Sequence, residues 1–174
     1  MTTPKPAHGA LLTAIKTNEM VRAKILLEQG ANPNEKGVND TTALHHMVNP
    51  NRKSFDEIAA LLVEKGANIE AEDIWGHTPL IKAVRYTNPH AFRFLIEKGA
   101  SPHHKDHMGR SALDWAKLLK FTEATEIIAD VHQQREQEAA REAGQKRIKE
   151  LNGTAAAKQG ALKKIRPNKR IKPS

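Results

Sequence analysis

Residues 73–100 read DIWGHTPLIKAVRYTNPHAFRFLIEKGA, and this stretch decides the fold. Thr78 can cap a helix through its hydroxyl group, and Pro79 suits the first helical position because its missing N–H would be unbonded there. Asn88-Pro89 gives the same start signal a second time, and Gly99 ends the second helix because glycine accepts a left-handed backbone. The stretch therefore predicts two short helices, each with one apolar face. Those faces contain Leu80, Ala83 and Val84 on the first helix and Phe92, Leu95 and Ile96 on the second.

Elements of this stretch recur along the chain at a nearly constant interval. Gly-Ala pairs begin at Gly30, Gly66 and Gly99, so the intervals are 36 and 33 residues. Two independent motif series in step indicate a protein built from stacked repeats. The second series consists of Thr42-Ala43-Leu44, Thr78-Pro79-Leu80 and Ser111-Ala112-Leu113.

These motifs closely resemble the ankyrin repeat. The Thr-Pro-Leu-His motif of that family corresponds to Thr78-Pro79-Leu80-Ile81 and Thr42-Ala43-Leu44-His45, and its Asp-x-x-Gly hairpin begins at Asp73 and Asp106. The period of about 33 is also that of the family. The resemblance implies an all-α solenoid of stacked helix pairs with short β-hairpin tips. It implies four repeats, at residues 7–36, 37–72, 73–105 and 106–131.

Two repeats depart from the family pattern. The first has Gly9-Ala10-Leu11 where the capping motif belongs, as expected of a terminal repeat. The second has Gly37 in place of the hairpin aspartate and three additional residues between its helices, within Asn49 to Lys53. Ser54-Phe55-Asp56-Glu57 then predicts a new helix start with a capping box.

The chain changes character after the fourth repeat. Residues 132–152 predict a polar helical extension, and the Ala-, Lys- and Pro-rich residues 153–174 predict a disordered tail. Residues 144–174 contain ten Lys or Arg and one acid, whereas residues 1–143 contain 18 basic and 19 acidic residues. The net charge of +8 therefore belongs to the tail.

This basic tail has three interpretations. It could contact nucleic-acid phosphates, although it lacks the interleaved aromatic residues that stack on single strands. It could be a targeting signal, either a nuclear localisation signal or the C-terminal type IV secretion signal of a bacterial effector. It could also serve only to keep the protein soluble. The residues concerned are Lys163, Lys164, Arg166, Lys169, Arg170 and Lys172.

The sequence carries no signature of an enzyme. Phosphate-loop, dinucleotide and His-Glu-x-x-His patterns are absent, so we expect neither catalytic residues nor a cofactor. The strongest metal candidate is the run His103-His104-Lys105-Asp106-His107. We interpret it as a solvated hairpin in which Asp106 caps the turn, because the two neighbouring histidines point in opposite directions.

In the ankyrin family, the hairpin tip and the following short helix form a concave recognition surface. The resemblance therefore implies a protein partner, bound by a surface rich in Trp, Tyr and Arg, which are typical of binding hot spots. It also implies that His45 ties adjacent loops together, while Trp115 is expected in the core. The implied surface residues are Trp75, His77, Arg85 and Tyr86 from the third repeat, His107, Met108 and Arg110 from the fourth, and Asn39, Thr41 and Asn49 from the second.

Composition also predicts where the protein acts. The chain has no cysteine, which excludes disulfides and fits a reducing compartment. It shows no apolar run near Met1 and no stretch of about 20 apolar residues that could span a membrane. We expect a monomeric cytoplasmic protein.

Overall fold

The computed structural model describes residues 6–52 and 55–164, with side chains described as far as residue 149. Within these ranges the chain forms eight α-helices and one 3-10 turn, Val38–Asp40. The helices are α1 (Ala10–Lys16), α2 (Met20–Glu28), α3 (Ala43–Met47), α4 (Phe55–Glu64), α5 (Pro79–Arg85), α6 (Pro89–Glu97), α7 (Ala112–Leu118) and α8 (Glu123–Lys164). None of the helices in these ranges is long and apolar enough to cross a membrane.

The helices stack as antiparallel pairs in two rows. The first helices of the pairs contact each other in the order α1, α3, α5 and α7, and in the other row α2 contacts α4. This arrangement confirms the predicted all-α solenoid. The tips differ from the expected β-hairpins, because the described residues contain no strand and only one isolated antiparallel bridge, between Lys105 and Ser111.

The chain divides into two compact units, Met1–Val131 and His132–Ser174. The first unit contains the helix pairs, and the second contains the remainder of α8. This helix continues to Lys164, into the first part of the segment for which we predicted disorder, where Ala, Lys, Gln and Leu favour a helix. The predicted tail contacts Arg166, Lys169, Arg170 and Lys172 lie outside the described residues, and Lys163 and Lys164 end α8.

The predicted helix starts are present in the third repeat. The hydroxyl of Thr78 accepts a hydrogen bond from the Ile81 N–H at 3.3 Å, and the Asn88 carbonyl oxygen accepts one from the Ala91 N–H at 3.1 Å. The Asn88 side chain also donates to the Val48 carbonyl oxygen at 3.0 Å. Asn88 therefore caps the start of α6 and also joins the third repeat to the second by a hydrogen bond.

The core is a single apolar layer that runs through the stack. Leu80 and Val84 of α5 and Phe92 and Leu95 of α6 are all fully buried, as the sequence predicted. Each repeat adds its own apolar faces to this layer, so every repeat depends on its neighbours for burial.

His45 fastens the second repeat to the third, as the resemblance implied. Its Nδ1 atom accepts a hydrogen bond from the Thr42 N–H at 3.1 Å, and its Nε2 atom lies 2.9 Å from the His77 carbonyl oxygen, to which it donates. Burial lowers the pKa of His45 to about 4, so the ring is neutral near pH 7. The ring therefore serves as a neutral bridge between two hairpins.

The lowered pKa of His45 predicts a pH-dependent fold stability. As pH falls from about 6.5 towards 4, the unfolded chain takes up a proton that the buried ring does not, so stability falls by up to about 1.4 kcal/mol per pH unit for this group. Asp73 and Asp106, whose pKa values are held below the ordinary aspartate range, add to the loss of stability mainly below about pH 4, where the carboxyls of the unfolded chain take up protons. His45→Gln should be less stable at pH 7 and show a shallower slope between pH 6.5 and 4.5.

Urea unfolding at several pH values measures this slope. His103→Gln is the matched control, since it replaces an exposed histidine outside this bridge and should cost less stability at pH 7 than His45→Gln. An identical slope in the parent and in His45→Gln would contradict the prediction.

Candidate functional site

Backbone hydrogen bonds join the tips of neighbouring hairpins. The His107 N–H donates to the Trp75 carbonyl oxygen at 3.0 Å, and the Ile74 N–H donates to the Asn39 carbonyl oxygen at 3.1 Å. The tips of the second, third and fourth repeats therefore form a continuous row, and their side chains are held at fixed spacing.

A buried aspartate closes each of the last two tips. Asp73 Oδ1 accepts from the N–H groups of Trp75 and His77, both at 3.0 Å. Asp106 Oδ1 accepts from the N–H groups of Met108 and Arg110, both at 2.9 Å, which confirms that it caps the turn. Each of these tips is therefore closed by two hydrogen bonds to one buried carboxylate oxygen.

Gly76 allows these two tips to approach. Its φ is +74°, and a Cβ atom placed there would lie 2.7 Å from His107 Cδ2 and 2.8 Å from the His107 backbone nitrogen. Both the left-handed backbone and the lack of space therefore favour glycine at this position.

A cleft of about 560 Å³ lies between the third and fourth repeats, beside their tips; we call it the tip cleft. Three large side chains at its surface remain substantially exposed: Trp75 at 47%, Tyr86 at 44% and Met108 at 68%. Its lining consists of Trp75, His77, Lys82, Arg85, Tyr86, His107, Met108 and Trp115.

The floor of the tip cleft is a buried polar network. The His77 ring lies between two carboxylates, with Nδ1 3.5 Å from Asp73 Oδ2 and Nε2 3.6 Å from Asp106 Oδ2. Lys82 Nζ lies 3.0 Å from Asp73 Oδ2, and the Trp115 indole N–H donates to Asp106 Oδ2 at 2.7 Å. Asp106 thus accepts hydrogen bonds at both of its oxygens, whereas Asp73 Oδ2 has no hydrogen bond and is neutralised by the Lys82 ion pair.

Charge states in this network follow from burial and from these partners. Burial lowers the pKa of His77. The carboxylates of Asp73 and Asp106 raise this pKa and the charges of Arg85 and Lys82 lower it, so that it remains below the ordinary histidine value. Burial alone would raise the pKa of Asp73 and of Asp106, but the Lys82 and backbone bonds to Asp73, and the Arg110 N–H and Trp115 indole bonds to Asp106, bring both below their usual range. The network therefore consists of two anionic carboxylates and a neutral imidazole near pH 7.

Trp115 forms a wall of the tip cleft. The guanidinium carbon of Arg85 lies 5.1 Å from the centre of its ring, and that of Arg110 lies 5.0 Å from it, both within cation–π range. Arg85 Nη1 is also 3.2 Å from His77 Nδ1 and 3.1 Å from Nε2, nearly equal distances that place it over the ring rather than at a lone pair. Trp115 is partly buried and packs against the core, as predicted, while its indole N–H binds Asp106.

Two residues predicted for the recognition surface, His77 and Thr41, are buried in the free chain. His77 is 4% exposed within the polar floor, and Thr41 is 5% exposed, with its hydroxyl bonded to the Val38 carbonyl oxygen at 2.8 Å. Asn39 and Asn49 lie at the second repeat, outside the lining of the tip cleft. The cleft brings together Trp75, Arg85, Tyr86, His107 and Met108, with Arg110 on Trp115.

The sequence analysis did not predict that Lys82 and Trp115 line this site, although the repeat spacing indicates it. Each lies four residues after its capping residue, Thr78 or Ser111, so the two occupy equivalent positions 33 residues apart. Lys82 also lies three residues before Arg85, on the same helical face. Comparing equivalent positions of the repeats would have placed both residues on the concave side.

The run of histidines does not assemble into one site. His104 Nε2 lies 3.0 Å from Glu72 Oε1, whereas Asp106 is turned into the tip. Throughout the residues that the structure describes, no group of three or more His, Asp or Glu side chains is placed to hold a metal ion.

The proteins to which this chain is similar include ankyrin-repeat proteins, in agreement with the repeat architecture. The model of a family described as ankyrin repeats, in three copies, matches residues 51–137. The human transient receptor potential cation channel subfamily A member 1 is 31% identical over 118 residues, 66% of this chain and 10% of that protein. A putative ankyrin repeat protein of Acanthamoeba polyphaga mimivirus is 30% identical over 106 residues, 59% of this chain and 65% of that protein. Neurogenic locus notch homolog protein 1 of Mus musculus is 29% identical over 126 residues, 72% of this chain and 5% of that protein. The chain spans less than two thirds of the length of each of these relatives.

Alanine substitutions at Gly76 and Gly109 test the crowding at Gly76. Gly109→Ala should cost about 1–2 kcal/mol of unfolding free energy, the price of a left-handed alanine, because nothing lies within 4 Å of its new Cβ. Gly76→Ala should cost about 1–3 kcal/mol more, because its Cβ overlaps His107.

Urea unfolding of the two variants measures the difference. Equal losses at the two positions would mean that the third and fourth tips do not approach as closely as described.

Proposed function

The chain belongs to the ankyrin-repeat family, whose repeats are generally protein–protein interaction modules, and from this we propose that it binds a protein partner through the tip cleft. We place this binding in the cytoplasm and on a monomer, as the composition predicts. The relatives' names carry nothing further to this proposal, because the chain covers only part of each.

The exposure of Trp75, Tyr86 and Met108 around one cleft carries the proposal. Aromatic residues, Met and Arg are the types enriched at the centres of protein interfaces. Their exposure to water is unfavourable in the free protein and is relieved when a partner covers them. The concentration of three such residues at one cleft supports recognition there.

The network under the cleft supports binding rather than catalysis. Asp73 and Asp106 are occupied by backbone N–H groups, Lys82 and Trp115, which gives them a structural task. A floor fixed in this way holds the contact side chains in place before a partner arrives, which reduces the entropy lost on binding.

Selection from a random peptide library tests this proposal. The immobilised full chain should enrich peptides that a labelled-peptide titration shows to bind, and Trp75→Ala/Tyr86→Ala should weaken that binding by at least about tenfold, as expected for hot-spot residues. The matched control is Val21→Ala/Ile25→Ala, which truncates two exposed apolar residues of α2, in the other row of helices. Binding that survives in the first variant and is lost in the control would place recognition elsewhere.

The charge asymmetry of the chain favours a second candidate function, phosphate binding by the basic tail. Residues 144–174 hold ten basic residues against one acid. If about six of these charges meet phosphates, the logarithm of the affinity for duplex DNA should fall with the logarithm of salt concentration with a slope near −5. Sequence preference should be slight, since phosphate contacts carry no sequence information.

Titration of labelled duplexes at several salt concentrations measures this slope, with the full chain and with a chain that ends at Asn152. The shortened chain should lose the binding and keep its unfolding curve. Tight binding by the shortened chain would instead locate a nucleic-acid site on the repeats.

A further inference from the structure

We propose that Arg85 and Arg110, held against Trp115, form a carboxylate-binding pair that makes the tip cleft selective for acidic peptide segments. The favoured segment carries Asp or Glu beside an apolar or aromatic residue. The inference rests on the proposed function, since it names the class of partner for the same cleft.

Both guanidinium groups are positioned but lack a carboxylate partner. Each lies about 5 Å from the centre of the Trp115 ring, so their carbon atoms are no more than about 10 Å apart. Among the described residues, Arg85 and Arg110 have no carboxylate within 4.0 Å. Because a guanidinium prefers paired bonds to a carboxylate, the pair offers unused donors at a fixed place.

The carboxylates closest to this pair are already engaged. Asp73 binds two backbone N–H groups and Lys82, and Asp106 binds two backbone N–H groups and the Trp115 indole. Lys82 is therefore not a free cation. The positive charge that remains available at the tip cleft belongs to Arg85, which lines it, and to Arg110, which lies against the Trp115 ring of its wall.

The spacing of this pair suits a short extended peptide. Such a peptide advances about 3.3–3.6 Å per residue, so no more than about three residues are needed to span the two guanidinium groups, which are at most about 10 Å apart. The exposed Trp75, Tyr86 and Met108 line the same cleft, which gives apolar neighbours of the acidic residue a surface to cover.

The charge of the repeats favours an acidic peptide over a nucleic acid here. A polyanion gains affinity by neutralising many phosphates along a basic surface. Residues 1–143 hold 18 basic and 19 acidic residues, so two free guanidinium groups stand in a nearly neutral stack. Such a local pair matches one or two carboxylates.

A double-mutant cycle tests the pairing. A peptide enriched by the full chain from a random 12-residue library is titrated as selected and with its acidic residues changed to Asn or Gln. Either that change or Arg85→Gln/Arg110→Gln should weaken binding about tenfold or more, and the two together should cost little beyond one of them. Lys65→Gln/Lys98→Gln removes the same charge from exposed positions and should leave the cycle intact.

The outcomes separate this inference from the proposed function. Enriched peptides without an excess of Asp or Glu, but dependent on Trp75 and Tyr86, would overturn the carboxylate pair and leave protein recognition standing. Equal losses for the amide peptide on the parent and on Arg85→Gln/Arg110→Gln would do the same. Failure to enrich any peptide would count against both proposals.

Two further measurements keep the test decisive. The amide peptide is compared on the unaltered chain, so its result does not depend on the folding of any variant. A labelled 12-nucleotide oligothymidylate is also titrated with the unaltered chain and with Arg85→Gln/Arg110→Gln; equal binding is expected, and a loss in the variant would assign the pair to phosphates and overturn the proposal.

Discussion

The buried carboxylates of Asp73 and Asp106 are the interaction on which the tip cleft depends. Each closes a hairpin by accepting two backbone N–H bonds, and each uses its second oxygen to hold a side chain of the following helix. A buried charge without partners would destabilise the fold, so these bonds must form together. Tip, helix and cleft floor are consequently one structural unit in each repeat.

The absence of this carboxylate from the second repeat explains where the cleft lies. Gly37 replaces the aspartate there, and the tip contains a 3-10 turn in which Asn39 and Asp40 both have positive φ values, 58° and 57°. Asp40 pairs with Lys36 at 3.0 Å on the exposed side instead of organising the tip. A cleft with a fixed polar floor therefore forms between the third and fourth repeats, where both aspartates are present.

Most of the fold could be predicted from the sequence, because repeat period, cap and apolar face are local signals that agree with each other. The structure confirms the caps at Thr78 and Asn88 and the buried faces of α5 and α6. The continuation of α8 to Lys164 was missed, since low hydrophobicity predicts disorder although the residues favour a helix.

The site could be predicted only in part, because exposure depends on contacts between repeats. His77 follows the tip in sequence like a surface residue, yet the Asp106 carboxylate of the next repeat encloses it. Trp115 packs against the core, as a large aromatic residue inside a helix predicts, but its hydrogen bond to Asp106 and its place in the cleft wall were not predicted. Neither position follows from the residues of one repeat taken alone.

The hydrogen bonds and ion pair of Asp73 and Asp106 explain why Arg85 and Arg110 remain available to bind a carboxylate of a partner. A carboxylate beside a guanidinium ordinarily pairs with it, and such a pair would occupy Arg85 or Arg110 before any ligand arrived. Here Lys82, the Trp115 indole and four backbone N–H groups occupy Asp73 and Asp106, and the guanidinium groups lie against the Trp115 ring instead. Two like charges close to one ring repel each other, so this arrangement costs the free protein some stability that an anionic ligand would restore. The bonds that stabilise the tips thereby leave the positive charge of the cleft for a partner.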